Sequence, residues 1–250
     1  MIDTEYLKKK LPGLKIIYFD EIDSTNSEAK RRILSGEKER CLYIASCQTL
    51  GRGRQGKSFY SPKDTGLYLS FSYPVRENEP DAVSITSQSA VAAAAAIESL
   101  SGIGCGIKWV NDIYIKGKKV SGILAESLFC GGHFIIVGIG INLSTKTFPP
   151  EIADRAGSLD SPGLSPTLLA EKISENMLYF IDNPSDRSYL ESYRKHSIVL
   201  GKKIEYIKNS VKYEGTALSL TDEAHLTVLR SDKRVDELNS GEISLRIKEN

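Results

Sequence analysis

The sequence predicts an α+β fold, a mixed sheet flanked by helices, followed by a small C-terminal β-barrel. Three observations carry this. Strand-like and helix-like segments are interleaved up to residue 197. From residue 198 the chain holds about fifty residues of short strands and turns. The 250 residues are 40% hydrophobic and 26% charged, ordinary for a globular protein and long enough for a large unit plus a small one. The predicted division is therefore 1–197 and 198–250.

Taken in order, KIIYF, Lys15–Phe19, reads as a strand. In DEIDSTNSEAKRRILSG, Asp23, Ser24 and Thr25 are N-cap residue types and Gly36 is a helix stop. The Ser24-Thr25-Asn26 turn thus falls at a helix N-terminus. Residues 41–48 (CLYIASCQ) form a second strand, and 67–73 (LYLSFSY) alternate as a third. A long helix covers 80–100, with Pro80 at its start, AVAAAAAIESL within and Gly102 after it. From Ile107 sheet returns, folded at two hairpin-like turns, Lys116-Gly117-Lys118 and Gly131-Gly132. Residues 149–162 are loop. Ser165-Pro166 caps a helix over SPTLLAEKISENMLYFID, and 186–196 form another. KKIEYI, VKYEGTALSLT, HLTVLR and GEISLRIK are the closing strands.

The charge balance excludes several functions. Thirty-three basic residues meet 32 acidic ones, a net charge of +1. No global field recruits nucleic acid or an anionic membrane, so anion binding must be local. No apolar run is long enough to span a bilayer and the start is not a signal peptide. Four cysteines without CxxC spacing and three dispersed histidines predict reduced thiols, no metal-ligand cluster and a cytoplasmic protein.

The stretch GRGRQGKSFYSP, residues 51–62, matches the phosphate-loop pattern G-x(4)-G-K-S/T. A phosphate loop needs a helix after it to supply oriented N–H groups. Here Pro62, Asp64, Thr65 and Gly66 are turn residues and the next periodic segment is a strand. The match reads as a coincidence. What remains is a glycine-rich loop bearing Arg52, Arg54 and Lys57, with Phe59 and Tyr60 as aromatic neighbours. Two readings stand: a solvated basic loop, or a segment that orders over an anion, since arginine offers planar paired donors to carboxylate and phosphate.

A second constellation lies in KWVND, residues 108–112, and KKVSGILAE, residues 118–126. Lys108, Asn111 and Asp112 sit near a strand end, and Lys119 opens the next strand. Alternation sets Val120, Gly122 and Leu124 on one face and Ser121, Ile123 and Ala125 on the other. In GIGINL, Gly138, Gly140 and Asn142 share a face opposite Ile139, Ile141 and Leu143. Glycine inside a strand marks either a bulge or a close approach. Two such strands joined by a hairpin suggest a slot with a bare floor and Lys119 at its rim.

DSTN, GRGRQGKSFYSP, KWVND, KKVSGILAE, GIGINL and the terminal GEISLR together resemble, in order, the motifs of the biotin–protein ligases. The resemblance runs from Asp23 to the end. It implies a catalytic domain like those of biotin ligases and class II aminoacyl-tRNA synthetases, with an SH3-like C-terminal barrel. It implies ATP-dependent formation of biotinyl-5′-AMP, then transfer of biotin to a lysine of a biotin carboxyl carrier protein domain, with biotin, ATP and Mg²⁺ as small partners. Ser24, Thr25, Asn26, Gln48, Arg52, Gly53, Arg54, Lys119, Gly122 and Gly138 are then the expected biotin site. Lys57, Phe59, Lys108, Asn111 and Asn142 fall on the ATP side. Lys119, Arg54, Arg52 and Asp112 are the expected catalytic residues. Glu242 helps cover the nucleotide or carrier.

The sequence departs from the family pattern at three places. Val110 stands where proline is common, Lys57 where arginine is common and Phe59 where tryptophan is common. Fewer than about 25 residues precede the DSTN motif, which leaves no room there for a helix-turn-helix module; the expectation is an enzyme without operator binding. The alternative within the fold is a lipoate or octanoate attachment enzyme. The alternative outside it is a nucleic-acid binder using the Arg–Gly loop, which the charge balance disfavours. Edge strands leave a homodimer open.

Overall fold

The computed structural model describes residues 2–75, 81–208, 211–239 and 246–247. A seven-stranded mixed sheet organises the larger part. Its strands are β1 (Lys15–Phe19), β2 (Cys41–Ala45), β3 (Gly66–Pro74), β4 (Gly106–Lys108), β5 (Asp112–Ile115), β6 (Lys118–Phe129) and β7 (His133–Asn142), in the order β1-β2-β3-β7-β6-β5-β4. β1 and β2 pair parallel and the other neighbours antiparallel. The parallel pair requires a crossover, and α2 (Thr25–Leu34) is that crossover.

Both expected turns form. Lys116 and Gly117 adopt φ of 48° and 75° between β5 and β6, the left-handed pair that a two-residue hairpin turn requires. Gly131 and Gly132 turn between β6 and β7. One face of the sheet packs against α3 (Ala82–Ser101) and α4 (Pro166–Asp182) in the main core. The opposite face carries α2 over a smaller cluster of Ala29, Ile33, Cys41, Tyr43, Phe134 and Ile136.

Caps explain where the helices begin. Ser24, Asp81 and Ser165 each accept a hydrogen bond from a backbone N–H three residues on. The long helix starts at Ala82 rather than at Pro80, which lies outside the described residues. It ends at Gly102, which takes φ 68° as the left-handed stop. α5 (Tyr189–His196) starts later than expected, because Asp186 binds the N–H and hydroxyl of Ser188 in a turn. A helix not expected from the sequence, α1 (Thr4–Lys10), is capped by Asp3.

The C-terminal part is a five-stranded antiparallel sheet: β8 (Lys203–Lys208), β9 (Val211–Leu220), β10 (Leu226–Arg230), β11 (Val235–Leu238) and β12 (Arg246–Ile247), in the order β11-β10-β9-β8-β12. Its buried Ile204, Tyr206, Ala217, Leu226 and Val228 belong to the main core cluster. Polar ties join the two sheets: Trp109 Nε1 donates to Ala224 O at 2.9 Å and Ser84 Oγ to Glu223 O at 3.2 Å. His225 bridges Asp81 and Glu237. Glu242 lies outside the described residues. No helix among the described residues is long and apolar enough to cross a membrane.

Candidate active site

The α2 face of the sheet carries the site. Ser24 is the N-cap, so Thr25 and Asn26 occupy the first turn, and all three are buried. Gln48 Oε1 accepts from Thr25 N at 2.9 Å and Thr25 Oγ1 at 3.1 Å, while its Nε2 donates to Ser61 Oγ at 3.0 Å. Ser70 Oγ lies 2.7 Å from Thr25 Oγ1 and 2.6 Å from Asn26 Oδ1. Asn26 Nδ2 donates to Glu126 Oε2 at 2.9 Å. The result is a polar wall with its amides held in place.

The floor is glycine. Gly122 pairs across the strands with Gly140, and Leu124 with Gly138. Tyr68 and Ser70 continue these rows on β3, and Asp112 flanks Gly122 on β5. A Cβ on Gly138 would run into the Asn26 amide, and one on Gly140 into the Phe59 ring at 2.5 Å. A Cβ on Gly122 would come within 3.2 Å of the Lys119 amine. These glycines are therefore close-approach positions rather than bends.

One face assignment from simple alternation is corrected. The β5–β6 register shifts between Ile113 and Tyr114, which pair with Ser121 and Lys119 and leave Val120 as the extra residue. Val120 is buried in the main core instead of sharing the face of Gly122 and Leu124. The bulge also brings Lys119 to the Gly122 side, where its Nζ lies 2.6 Å from Asp112 Oδ1.

The arginine loop folds on itself. Gly53 N donates to Lys57 O at 2.7 Å, Lys57 N to Arg54 O at 3.1 Å and Phe59 N to Gly51 O at 2.9 Å. Gln55 and Gly56 take φ of 55° and 71° at the tip. After Lys57 the chain runs extended toward β3 with no helix, so the phosphate-loop pattern is a coincidence of letters. Arg52 forks onto Glu126, with Nη2 3.0 Å from Oε1 and Nη1 3.2 Å from Oε2. Arg54 points inward, its Nη1 donating to Asn111 Oδ1 at 3.0 Å. Burial lowers the Arg54 pKa, with the Asp112 carboxylate opposing.

The KWVND segment is held from below. Asn111 Nδ2 donates to Ile123 O at 3.1 Å, and Tyr193 OH to Val110 O at 3.2 Å. The Trp109–Val110 peptide is cis, at the position where the family pattern carries proline. Burial raises the Tyr193 hydroxyl well above its ordinary pKa, and Tyr114 to about 12 with Asp112 adding to it. Lys108 Nζ lies 5.8 Å from the Tyr114 ring centre.

Every expected biotin-side, ATP-side and catalytic residue lines a single cavity of about 900 Å³, within the range of about 300–1,000 Å³ usual for ligand sites; Glu242 lies outside the described residues. Its lining includes Arg52, Arg54, Lys57, Lys108, Lys119 and Arg155 against Asp112, Glu151 and Asp154. Cations therefore predominate in this lining, in a chain whose net charge is only +1. Among the described residues no three histidine, cysteine or acidic side chains gather as a metal site.

Sequence reasoning missed one wall. Glu151, Ile152, Asp154, Arg155 and Ala156 line the cavity from the segment 149–162 read only as loop, with Phe148 just ahead of it. Lys119 N donates to Arg155 O at 2.8 Å, Gly157 N to Lys119 O at 2.9 Å and Asn142 Nδ2 to Gly157 O at 2.9 Å. Main-chain contacts of this kind leave no residue signature. Glu126 was also unassigned, although strand alternation from Gly122 points it to the floor side.

Comparison with known proteins bears on this geometry. Residues 18–142 match the model of the Biotin/lipoate A/B protein ligase family. The chain is 30% identical to the bifunctional ligase/repressor BirA of Bacillus spizizenii, over 96% of this chain and 76% of that protein. It is 27% identical to the biotin–[acetyl-CoA-carboxylase] ligase of Mycobacterium tuberculosis, over 81% and 79%. The structure of a biotin protein ligase from Aquifex aeolicus in complex with biotin and ATP superposes with a TM-score of 0.77 at 29% identity, covering 94% of this chain and 99% of that one.

Proposed function

The chain belongs to the biotin/lipoate A/B protein ligase family, and from that premise we propose that it is an ATP-dependent biotin–protein ligase. It joins biotin to AMP with release of pyrophosphate, then passes biotin to a lysine of a biotin carboxyl carrier protein domain. The observation that carries the reading is the union, in one cavity, of a bare glycine floor, a polar turn and a cluster of cations. The superposable ligase bound to biotin and ATP supports the pair of substrates.

Biotin is a compact ring system on an aliphatic tail. Ser24, Thr25, Asn26 and Gln48 offer donors and acceptors to its ureido group, and Gly122 and Gly138 give the ring room against the sheet. Biotin's carboxylate must meet the α-phosphate, and the two anions repel. Lys119, Arg52 and Arg54 offset that repulsion and stabilise the charge of the transition state. The carboxylate oxygen forms the new P–O bond as pyrophosphate leaves. A carrier lysine, arriving as the free amine, then attacks the activated carbonyl and AMP departs.

Lys57, Phe59, Lys108, Asn111 and Asn142 belong to the nucleotide side of this reading, with residues 148–156 as the outer wall. Phe59 rests over Gly140 and Gly122, so it reaches the biotin floor as well. A Mg²⁺ ion takes most of its oxygen from phosphates and water and needs only one or two carboxylates from protein. Asp112, the carboxylate beside Lys119, fits that need; the ion would neutralise phosphate charge. The mixed anhydride hydrolyses readily, so a loop that covers it excludes water.

The reading is of a cytoplasmic enzyme without operator binding; the even charge balance supports the second part. Pairing of two copies along an edge of the seven-stranded sheet, where β1 and β4 are outermost, belongs to the same proposal. The test is exchange of labelled pyrophosphate into ATP, with biotin and with lipoate. Exchange with biotin is expected; exchange with lipoate and none with biotin overturns the reading.

A further inference from the structure

Glu126 has no role in the reaction just described, yet its side chain holds two groups of that site at once. Oε2 accepts from Asn26 Nδ2 at 2.9 Å, and the two oxygens face Arg52 as a fork at 3.0 and 3.2 Å. Asn26 lies on α2, Arg52 on the loop and Glu126 on β6. We propose that Glu126 is a positioning residue: its carboxylate latches the arginine loop onto the sheet, yields Arg52 to an incoming anion, and fixes the orientation of the Asn26 amide. The identity of that anion, biotin's carboxylate or the adenylate phosphate, rests on the ligase reading; the latch does not.

The loop's backbone hydrogen bonds at 53–57 and 51–59 are internal, so they survive if the loop swings as a unit. Its seat on the sheet depends on side chains, namely Arg54 on Asn111, Phe59 on the glycine row and Arg52 on Glu126. The Arg52–Glu126 pair is half-solvated, with side-chain exposures of 44% and 26%. Such a pair favours the seated loop by about fivefold at most. That is enough to bias the loop and weak enough for a substrate carboxylate or phosphate to replace it.

Asn26 is fixed by the same carboxylate. Its Nδ2 faces Glu126 and, at 3.4 Å, Leu124 O, while its Oδ1 faces the Ser70 hydroxyl. Flipping the amide would set Oδ1 against two groups that only accept. The polar wall therefore presents one arrangement of donors and acceptors.

The experiment is limited trypsin digestion of the full chain without added ligand, with cleavage after Arg52, Arg54 and Lys57 followed by mass spectrometry. Glu126→Gln is expected to speed cleavage in the loop about fivefold while sites elsewhere keep their rates. Arg52→Gln should give the same increase after Arg54 and Lys57, and the double variant should add nothing further. An unchanged loop rate in Glu126→Gln overturns the latch, as do additive effects or an equal rise at all sites. In the ligase assay Glu126→Gln raises the KM for biotin by a larger factor than it lowers kcat. A fall in kcat at constant KM contradicts the positioning role. A wild-type chain that does not use biotin refutes the ligase reading and leaves the digestion result standing.

Discussion

Lys119 shows how a single side chain is aimed by backbone. A bulge at Val120 turns the Lys119 amine onto the glycine row, where it meets Asp112 at 2.6 Å. If it balances the carboxylate and phosphate in the proposed adenylation, Lys119→Ala should lower pyrophosphate exchange by about 10²-fold or more. Near-normal exchange removes the residue from the chemistry. Arg52 and Arg54 were visible in the sequence as cations threaded between glycines, and Lys119 as the rim of a glycine-bearing hairpin; their roles came from the family resemblance. The sequence hid the bulge, because alternation counts residues and cannot see one that fails to pair.

Among the elements, β6 and β7 form the floor by omitting side chains. Gly138 is the tightest case, since its missing Cβ would overlap the Asn26 amide, itself fixed by Ser70 and Glu126. Gly138→Ala should cost about 1–3 kcal/mol of stability through overpacking and weaken biotin binding more than tenfold. Isothermal titration and thermal unfolding check both, and unaltered affinity contradicts the close approach. This floor was legible, because GIGINL and KKVSGILAE carry glycine at alternate or paired positions. The strands and helices with strong periodicity were legible too. α1 was not, since a seven-residue helix with Leu7 as its single buried residue has no period to detect. β11 was not, since VDEL buries only Leu238 outright. The wall at 148–156 was not, since it falls almost wholly in the segment 149–162 that reads as loop, where no periodic pattern announces a cavity wall.

For the molecule as a whole, the junction between the two sheets carries an expected pH dependence, centred on His225. His225 Nε2 lies 2.8 Å from Asp81 Oδ2 and Nδ1 2.6 Å from Glu237 Oε1. Burial opposes its charge, but hydrogen bonds to Glu237 and Asp81 and their field outweigh it, so its pKa is raised. A raised pKa means the protonated ring is favoured by folding. The stabilisation is complete below the unfolded value of about 6.5 and fades as pH climbs through the folded one. His225→Gln should lower Tm by about 2–4 °C at pH 6 and by much less at pH 9. An equal deficit at both pH values indicates packing loss rather than charge.

The indole of Trp109 gives that junction a further meaning. Its N–H ends on the Ala224 carbonyl of the second sheet, two residues from Asn111 in the cavity wall. Cutting the chain ahead of residue 198 would remove this acceptor and uncover the buried indole. The small appendix is thus a keystone for the pocket's rim. Any shortened or grafted version of this scaffold has to carry both pieces or rebuild the seat of one indole.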